Sequence, residues 1–132
     1  GQLHQKLRED ERVVCMEKTN ARYLTAEQIP ECCHILTADV SFISLTRIIP
    51  AVAAFCAENA LIYFLVKPQF EAERRDVKSG GVVTDPQVRQ ACVDRITDFA
   101  AEQVDWETVT VVPSPIKGPK GNQEFVAIFR AP

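Results

Sequence analysis

The apolar residues of this chain are grouped into short runs that alternate with charged segments. Three β-rich runs are typical of strands, namely Arg12–Glu17, His34–Asp39 and Thr108–Val112. Ala60–Val66 is apolar at every position, which predicts a strand that is covered on both faces. Glu124–Arg130 has the pattern of a last strand, so the sequence predicts a sheet.

Two further segments have apolar residues at helical spacing. Ser44 is a favourable cap for the first helix, within which Pro50 should cause a bend or a restart. The apolar stripe of this helix comprises Leu45, Ile48, Ile49, Val52 and Cys56. Asp85 followed by Pro86 predicts the start of the second helix. Its apolar face comprises Val88, Ala91, Cys92, Ile96, Phe99 and Ala100.

The segments between these elements are polar. Gln2–Glu9 is compatible with a helix, and Thr25–Gln28 with a single helical turn. Phe70–Gly81 is charged and ends in two glycines, which predicts a mobile loop, and Pro113–Asn122 predicts a loop between two strands. The order of strands and helices indicates an α/β fold whose parallel sheet is closed by an antiparallel β-hairpin.

Three charged side chains lie where predicted strands begin or end. Asp39 and Lys67 close two strands, and Glu124 opens the last one. Ligands of such sheets bind beyond the carboxyl ends of the strands, so we expect these side chains to meet at one edge. An acid, a base and a second acid are suited to chemistry on a hydroxyl group. Each also has a structural interpretation: a turn-capping aspartate, a lysine packed along a strand edge and a solvent-facing glutamate.

Composition and charge narrow the class of protein. The chain has 132 residues, 46% hydrophobic and 25% charged, as in a globular domain or a piece of one. Its formal net charge of −3 means that nucleic-acid binding must depend on local basic patches. The apolar runs Ala51–Ala57 and Ala60–Val66 are too short to cross a membrane, and the polar segment Gly1–Asp10 is unlike a signal peptide.

The cysteines favour a reducing, cytoplasmic environment. There are five, an odd number, and no two of them have the C-x-x-C spacing. Cys32, Cys33 and His34 are consecutive, but neighbouring side chains on a strand point to opposite faces, which disfavours a metal site there.

Four strings of the sequence are more specific: DVSFIS at 39–44, LVKPQFE at 65–71, GGVVTDP at 80–86 and PSPIKGPKGNQEF at 113–125. In this order they resemble the TlyA/hemolysin A family, whose members are FtsJ-like ribosomal RNA 2′-O-methyltransferases that use S-adenosylmethionine. The amino-terminal strings GQLHQKLREDERVV and TNARYL are similar to the same family, so the resemblance covers essentially the whole chain.

The resemblance implies a Rossmann-like class I methyltransferase sheet and a catalytic tetrad of lysine, aspartate, lysine and glutamate. Asp39, Lys67 and Glu124 match the last three members. The first lysine, the glycine-rich cofactor loop, the first two strands and an S4-type RNA-binding domain would all precede Gly1. Residues 1–132 would then be the carboxyl-terminal part of the catalytic domain, and this part alone is expected to be inactive.

The implied reaction gives a role to each matching residue. The 2′-hydroxyl of a ribose attacks the methyl carbon of the cofactor's sulfonium, the bond between that carbon and the sulfur breaks so that the sulfur loses its positive charge, and Lys67 would take the proton of the hydroxyl. Asp39 and Glu124 would hold Lys67 in place, and without the partner lysine we expect Lys67 to stay a protonated ion pair. For S-adenosylmethionine the resemblance implies contacts with Asn20, Ala21 and Asp39, although Asn20 is equally typical of a turn.

Ribosomal RNA within a ribosomal subunit is the implied partner. Lys117 and Lys120 lie in the Pro-Gly loop and Lys78 lies in the charged loop, where they can meet phosphates. Phe70 can stack on a base. The charges of Arg74–Asp76 fit a solvated loop as well as they fit a phosphate contact.

The absent strands would also have a structural consequence. In this class of sheet the first strand lies at the centre, and its absence would leave the backbone edge of His34–Asp39 unpaired. A chain that stood alone should form a homodimer, exchange strands or bind a partner. A non-catalytic RNA-binding or ribosome-associated module is the alternative function. A membrane-lytic protein is disfavoured, because the sequence has no apolar span and no strongly basic amphipathic helix.

Overall fold

A four-stranded sheet is the centre of the computed structural model, which describes residues 2–132. β1 (Cys33–Ala38) runs parallel to β2 (Cys56–Val66), which is antiparallel to β4 (Phe125–Arg130). β4 also pairs antiparallel with β3 (Glu107–Pro113), so the strand order is β1-β2-β4-β3. The mixed α/β architecture and four of the five predicted strands are confirmed, and β1 lies at an edge of the sheet.

The described residues contain four α-helices: α1 (Gln5–Arg8), α2 (Leu45–Ala53), α3 (Pro68–Glu71) and α4 (Pro86–Val104). Ser44 and Asp85 cap α2 and α4 as predicted, because each side chain accepts a hydrogen bond from the backbone N–H two residues further on. Pro50 is exposed, and α2 continues through it. None of the helices in residues 2–132 combines the length and the apolar character that a membrane crossing requires.

The core lies between α2, α4 and one face of the sheet. Trp106 is 2% exposed and packs with Phe64 and Phe129, with ring centroids 5.7 and 5.6 Å from its own. The buried residues of the two helices and the two central strands are Leu45, Ile48, Ile49, Val52, Cys92, Val93, Ile96, Ala100, Ala60, Ile62, Phe64, Val66, Ala127 and Phe129. Along β2 the residues between the buried ones are only half-buried. Within the described residues the strand predicted to be covered on both faces is therefore buried on one face and partly covered on the other.

The predicted first strand, Arg12–Glu17, is not formed. The Asp10 carboxylate accepts hydrogen bonds from the backbone N–H and the guanidinium of Arg12, at 2.9 and 2.7 Å, which fixes a turn instead. The same side-chain bond is the main reason that the pKa of Asp10 is lowered. Val14 is 77% exposed, and no strand of residues 2–132 pairs with this segment. A strand-like sequence without a pairing partner remains irregular.

Two smaller predictions also need correction. Phe70–Gly81, predicted as a mobile loop, contains the end of α3, a helical turn at Arg74–Asp76 and a backbone bridge between Lys78 and Val82. Cys56, predicted on the stripe of α2, is instead the first residue of β2. In Phe70–Gly81, backbone hydrogen bonds therefore form short regular turns where the charged residues and glycines had predicted a loop.

Candidate active site

The three predicted catalytic side chains lie at one edge of the sheet. Asp39 directly follows β1, and Lys67 directly follows the parallel strand β2. Glu124 directly precedes β4, and the pairing of Val66 with Phe125 places it opposite the end of β2. The strand directions therefore bring all three to the edge where ligands of α/β sheets bind.

Lys67 forms an ion pair with Asp39. Its Nζ lies 2.5 Å from Asp39 Oδ1 and donates a hydrogen bond of 3.1 Å to Ser41 Oγ. The side chain of Lys67 is 11% exposed, whereas that of Asp39 is 70% exposed. The amine is thus fixed in a largely dehydrated position, while the carboxylate remains open to a ligand.

Glu124 is held by Gln69 and not by Lys67. Its Oε2 accepts a 2.7 Å hydrogen bond from Gln69 Nε2, and among the described residues Lys67 pairs with Asp39 alone. The predicted contact between Glu124 and Lys67 is therefore not formed. A Cβ on Gly118 would lie 2.2 Å from Glu124 Oε2, so the loop can approach the carboxylate this closely only because position 118 is glycine.

Asn122 joins two loops beside Glu124. It is 2% exposed, and its Oδ1 accepts a 3.0 Å hydrogen bond from the Val83 N–H. Its Nδ2 donates to the carbonyl oxygens of Gly81 and Pro119, at 2.9 and 3.1 Å. The loop that ends near Gly81 and the Pro-Gly loop are therefore tied together at the site.

The predicted RNA-binding lysines lie on these two joined loops. Lys78, Lys117 and Lys120 are all exposed. Lys117 Nζ donates a hydrogen bond to the side chain of Gln123, the neighbour of Glu124. The structure thus places three cations on the loops next to the sheet edge, and their contact with RNA stays a prediction.

An aromatic pair lies beside the Lys67–Asp39 ion pair. Phe42 is 89% exposed, has a left-handed backbone conformation with φ of 63°, and its ring centroid is 4.8 Å from that of Phe70. An open groove of about 520 Å³ is lined by Arg22, Phe42, Ile43, Ser44, Arg47 and Phe70. An exposed ring on a strained backbone is a combination often found at binding sites.

Asn20 and Ala21, the predicted cofactor contacts, lie at the start of a helical turn, Ala21–Tyr23, that packs on α2. Asn20 Oδ1 accepts a 3.0 Å hydrogen bond from the Arg22 N–H, which is what the turn interpretation requires. Arg22 borders the groove next to Phe42. The turn is therefore near the site, and contact with a cofactor stays a prediction.

Two residues at this edge have no predicted role. Glu71 is 5% exposed and forms an ion pair of 2.9 Å with Arg95 of α4. Glu71 ends the LVKPQFE string, which gave the only signal of its importance, and nothing in the sequence connects it with Arg95.

Comparisons with known proteins show the family to which the chain belongs. Residues 1–131 match the family described as FtsJ-like methyltransferase. The chain is 46% identical over 130 residues to the 16S/23S rRNA (cytidine-2′-O)-methyltransferase TlyA of Mycobacterium tuberculosis, covering 98% of the chain and 48% of that relative. It therefore spans about half the length of the curated relatives that it matches.

Solved structures that resemble this chain also extend well beyond the part that it matches. A candidate hemolysin from Streptococcus thermophilus is 35% identical, with a TM-score of 0.92 over 98% of this chain and 46% of that chain. The N-methyltransferase NodS from Bradyrhizobium japonicum, solved with S-adenosyl-L-homocysteine, is 14% identical. Its TM-score is 0.50 over 86% of this chain and 52% of that chain, so it shares the fold alone. The resemblance found in the four sequence strings is confirmed, and the chain belongs to the FtsJ-like methyltransferase family.

Proposed function

We propose that the protein containing this chain transfers a methyl group from S-adenosylmethionine to a ribose 2′-hydroxyl of ribosomal RNA in the cytoplasm. The observation that carries the proposal is the Lys67–Asp39 ion pair at the carboxyl ends of two parallel strands. The relative TlyA is named for this reaction at cytidines of 16S and 23S rRNA.

The residues present fit such a ligand and such a reaction. S-adenosylmethionine, when bound, supplies an electrophilic methyl group on a cationic sulfur. The exposed Asp39 carboxylate suits a cation, and Asn20 and Ala21 lie in the neighbouring turn. Lys67 would accept the proton of the attacking hydroxyl, with Asp39 and Ser41 fixing the amine. Lys67 must first lose its own proton, which a second nearby cation favours.

We further infer that the fourth member of the tetrad, the glycine-rich loop and two strands are supplied by residues that precede Gly1. The inference is supported by the 48% coverage of TlyA and by the position of β1 at the edge of the sheet. The half-buried residues on the second face of β2 also leave room for another layer. The chain alone would then be inactive.

The proposed RNA contacts are Phe70, Lys78, Lys117 and Lys120. Phe70 lies three residues after Lys67 and packs against the exposed ring of Phe42, which together offer an aromatic surface for a base. The three lysines on the joined loops are suited to phosphates of the same RNA.

Substitution of Lys67 in the full-length protein tests the proposal. Loss of a positioned general base costs about 10²- to 10⁴-fold in rate, so Lys67→Ala should lose methyl transfer to that extent. Lys6→Ala, a lysine on the exposed helix α1, is the matched control and should keep full activity. Full transfer by Lys67→Ala would overturn the proposed role.

Calorimetry with S-adenosylmethionine separates the two function classes. The full-length protein should bind the cofactor, and the chain alone should not. A full-length protein that binds ribosomal RNA but not the cofactor would instead be a non-catalytic RNA-binding module.

A further inference from the structure

Two segments run side by side at the sheet edge. The acid segment, residues 39–45, connects β1 to α2, and the lysine segment, residues 67–71, follows β2. They touch through five pairs, Asp39–Lys67, Ser41–Lys67, Phe42–Phe70, Ser44–Glu71 and Leu45–Glu71. The Lys67–Asp39 ion pair is one end of this contact, and Glu71 is the other.

Glu71 uses both of its carboxylate oxygens at that end. Oε1 accepts a 2.8 Å hydrogen bond from the Leu45 N–H. Oε2 accepts hydrogen bonds from Ser44 Oγ at 2.8 Å and from Arg95 Nη2 at 2.9 Å. Arg95 also donates to the backbone carbonyl of Glu71, so a single guanidinium holds both the side chain and the main chain.

The surroundings of Glu71 allow little freedom. Its side chain is 2% exposed, and a buried carboxylate is costly unless its charge is paired and its oxygens are hydrogen-bonded. The Ser44 hydroxyl has one proton, which it gives to Glu71 while it accepts the Thr46 N–H that starts α2. The start of α2 and the end of the lysine segment are therefore fixed together.

We propose that Glu71 is a positioning residue for Lys67. By binding Ser44 and Leu45 of the acid segment, with Arg95 holding it from α4, it sets the separation of Lys67 and Asp39. The expected effect of Glu71 on the reaction rate rests on the proposed methyl transfer. Its effect on the separation of Lys67 and Asp39 does not depend on that proposal.

The first test is Glu71→Gln in the full-length protein. Glutamine keeps the size and one acceptor, but it removes the charge and turns an NH₂ toward Ser44 or Arg95. A misplacement of about 1 Å can cost about 100-fold, so kcat per folded molecule should fall about 10- to 100-fold while KM for RNA stays within about twofold. Glu73→Gln is the matched control, because the Glu73 side chain is 67% exposed and, among residues 2–132, forms an ion pair only with Arg75, so it should leave kcat unchanged.

A double substitution distinguishes positioning from a general structural role. If Glu71 acts through Lys67, Glu71→Gln should not lower the residual rate of Lys67→Ala any further. A structural role would lower the rate equally in both backgrounds and would overturn the proposal. If Glu71→Gln does not fold, Arg95→Gln replaces it, since the Arg95 side chain is half exposed. A folded Arg95→Gln protein with unchanged kcat would also overturn the proposal.

Chemical labelling gives a readout that needs no activity. Lys67 in the full-length protein should acetylate slowly, and Glu71→Gln should accelerate it about tenfold relative to Lys6 in the same molecule, because the amine loses its fixed position. Unchanged labelling of Lys67 would refute the positioning role even if methyl transfer were confirmed. An active Lys67→Ala protein would refute the proposed function, and the labelling result would still decide the role of Glu71.

Discussion

Two glutamates at the same sheet edge are equally buried and differently bound. Glu71 and Glu124 are each 5% exposed. Among residues 2–132, the Glu71 carboxylate accepts hydrogen bonds from Leu45, Ser44 and Arg95, whereas the Glu124 carboxylate accepts one, from Gln69. Burial alone therefore does not show how firmly a carboxylate is held, whereas the number of donors around it does.

The difference follows from where each glutamate lies. Glu71 ends α3, between the start of α2 and the side of α4, so donors surround it. Glu124 lies at the rim, between Gln69 and the Pro-Gly loop, and Gln69 Oε1 is itself buried without a partner among residues 2–132. A buried polar atom without a partner requires an explanation, of which a role in the reaction is one, and we expect the two glutamates to respond differently to substitution.

The largest effect on stability should come from Glu71→Ala. The Leu45 N–H and the Ser44 hydroxyl would lose their acceptor and Arg95 its partner, so the free energy of unfolding should fall by about 2–4 kcal/mol. Urea denaturation of the full-length protein measures this change. Glu124→Gln, which keeps a side chain of the same size beside Gln69, should cost about 1 kcal/mol or less and still lose methyl transfer. Equal destabilisation by the two substitutions would remove the distinction between the two sites.

A smaller effect is expected from Gly118→Ala, which alters only the Glu124 region. The new methyl group would lie 2.2 Å from Glu124 Oε2, so the carboxylate must move, at a cost of about 1–3 kcal/mol, and kcat should fall with it. Gly81→Ala is the control for stability: its Cβ would meet nothing within 4 Å, but its φ of +82° costs about 1 kcal/mol. A Gly118→Ala protein with normal kcat would show that the position of Glu124 does not matter for the reaction.

The sequence predicted features whose signals are local. Ser44 and Asp85 start helices through bonds to residues two positions away, and Asp39 and Lys67 meet because parallel strands end at the same edge. Glu71 was beyond such reasoning, since its partner Arg95 is 24 residues away and only the packing of α4 brings them together.

The wrong predictions have the same physical origin. Arg12–Glu17 has the composition of a strand, but strand formation depends on a partner, and composition carries no information about that partner. Glu124 was predicted to contact Lys67. It instead accepts a hydrogen bond from Gln69, which lies two residues after Lys67 in the same segment. Local pattern places a side chain at an edge but does not choose among the neighbours that it meets there.

The smallest expected effect of substituting Glu71 is on the reactivity of nearby thiols, which tests whether Glu71 acts locally or on the whole fold. Burial raises the pKa of the Cys92 thiol, and Glu71 raises it further, while Arg95 lowers it. Burial is also the main reason that the pKa of Cys56 is raised, with a contribution from Cys33 and Cys32. A raised pKa leaves less thiolate at pH 8, so Cys92 and Cys56 should alkylate more slowly than an exposed thiol, and the difference should narrow as the pH rises.

Substitution then distinguishes the two buried thiols. Glu71→Gln removes a negative charge that raises the pKa of Cys92, so Cys92 should react faster in this variant, whereas Cys56 should not change. Glu124→Gln should change the alkylation rate of neither thiol, because the charge of Glu124 is not among the causes of either raised pKa. Mass spectrometry after timed alkylation measures all of these rates in one sample, with the exposed Cys15 as internal reference. An equal acceleration of Cys92 and Cys56 in Glu71→Gln would mean that Glu71 supports the whole fold and not the sheet edge in particular.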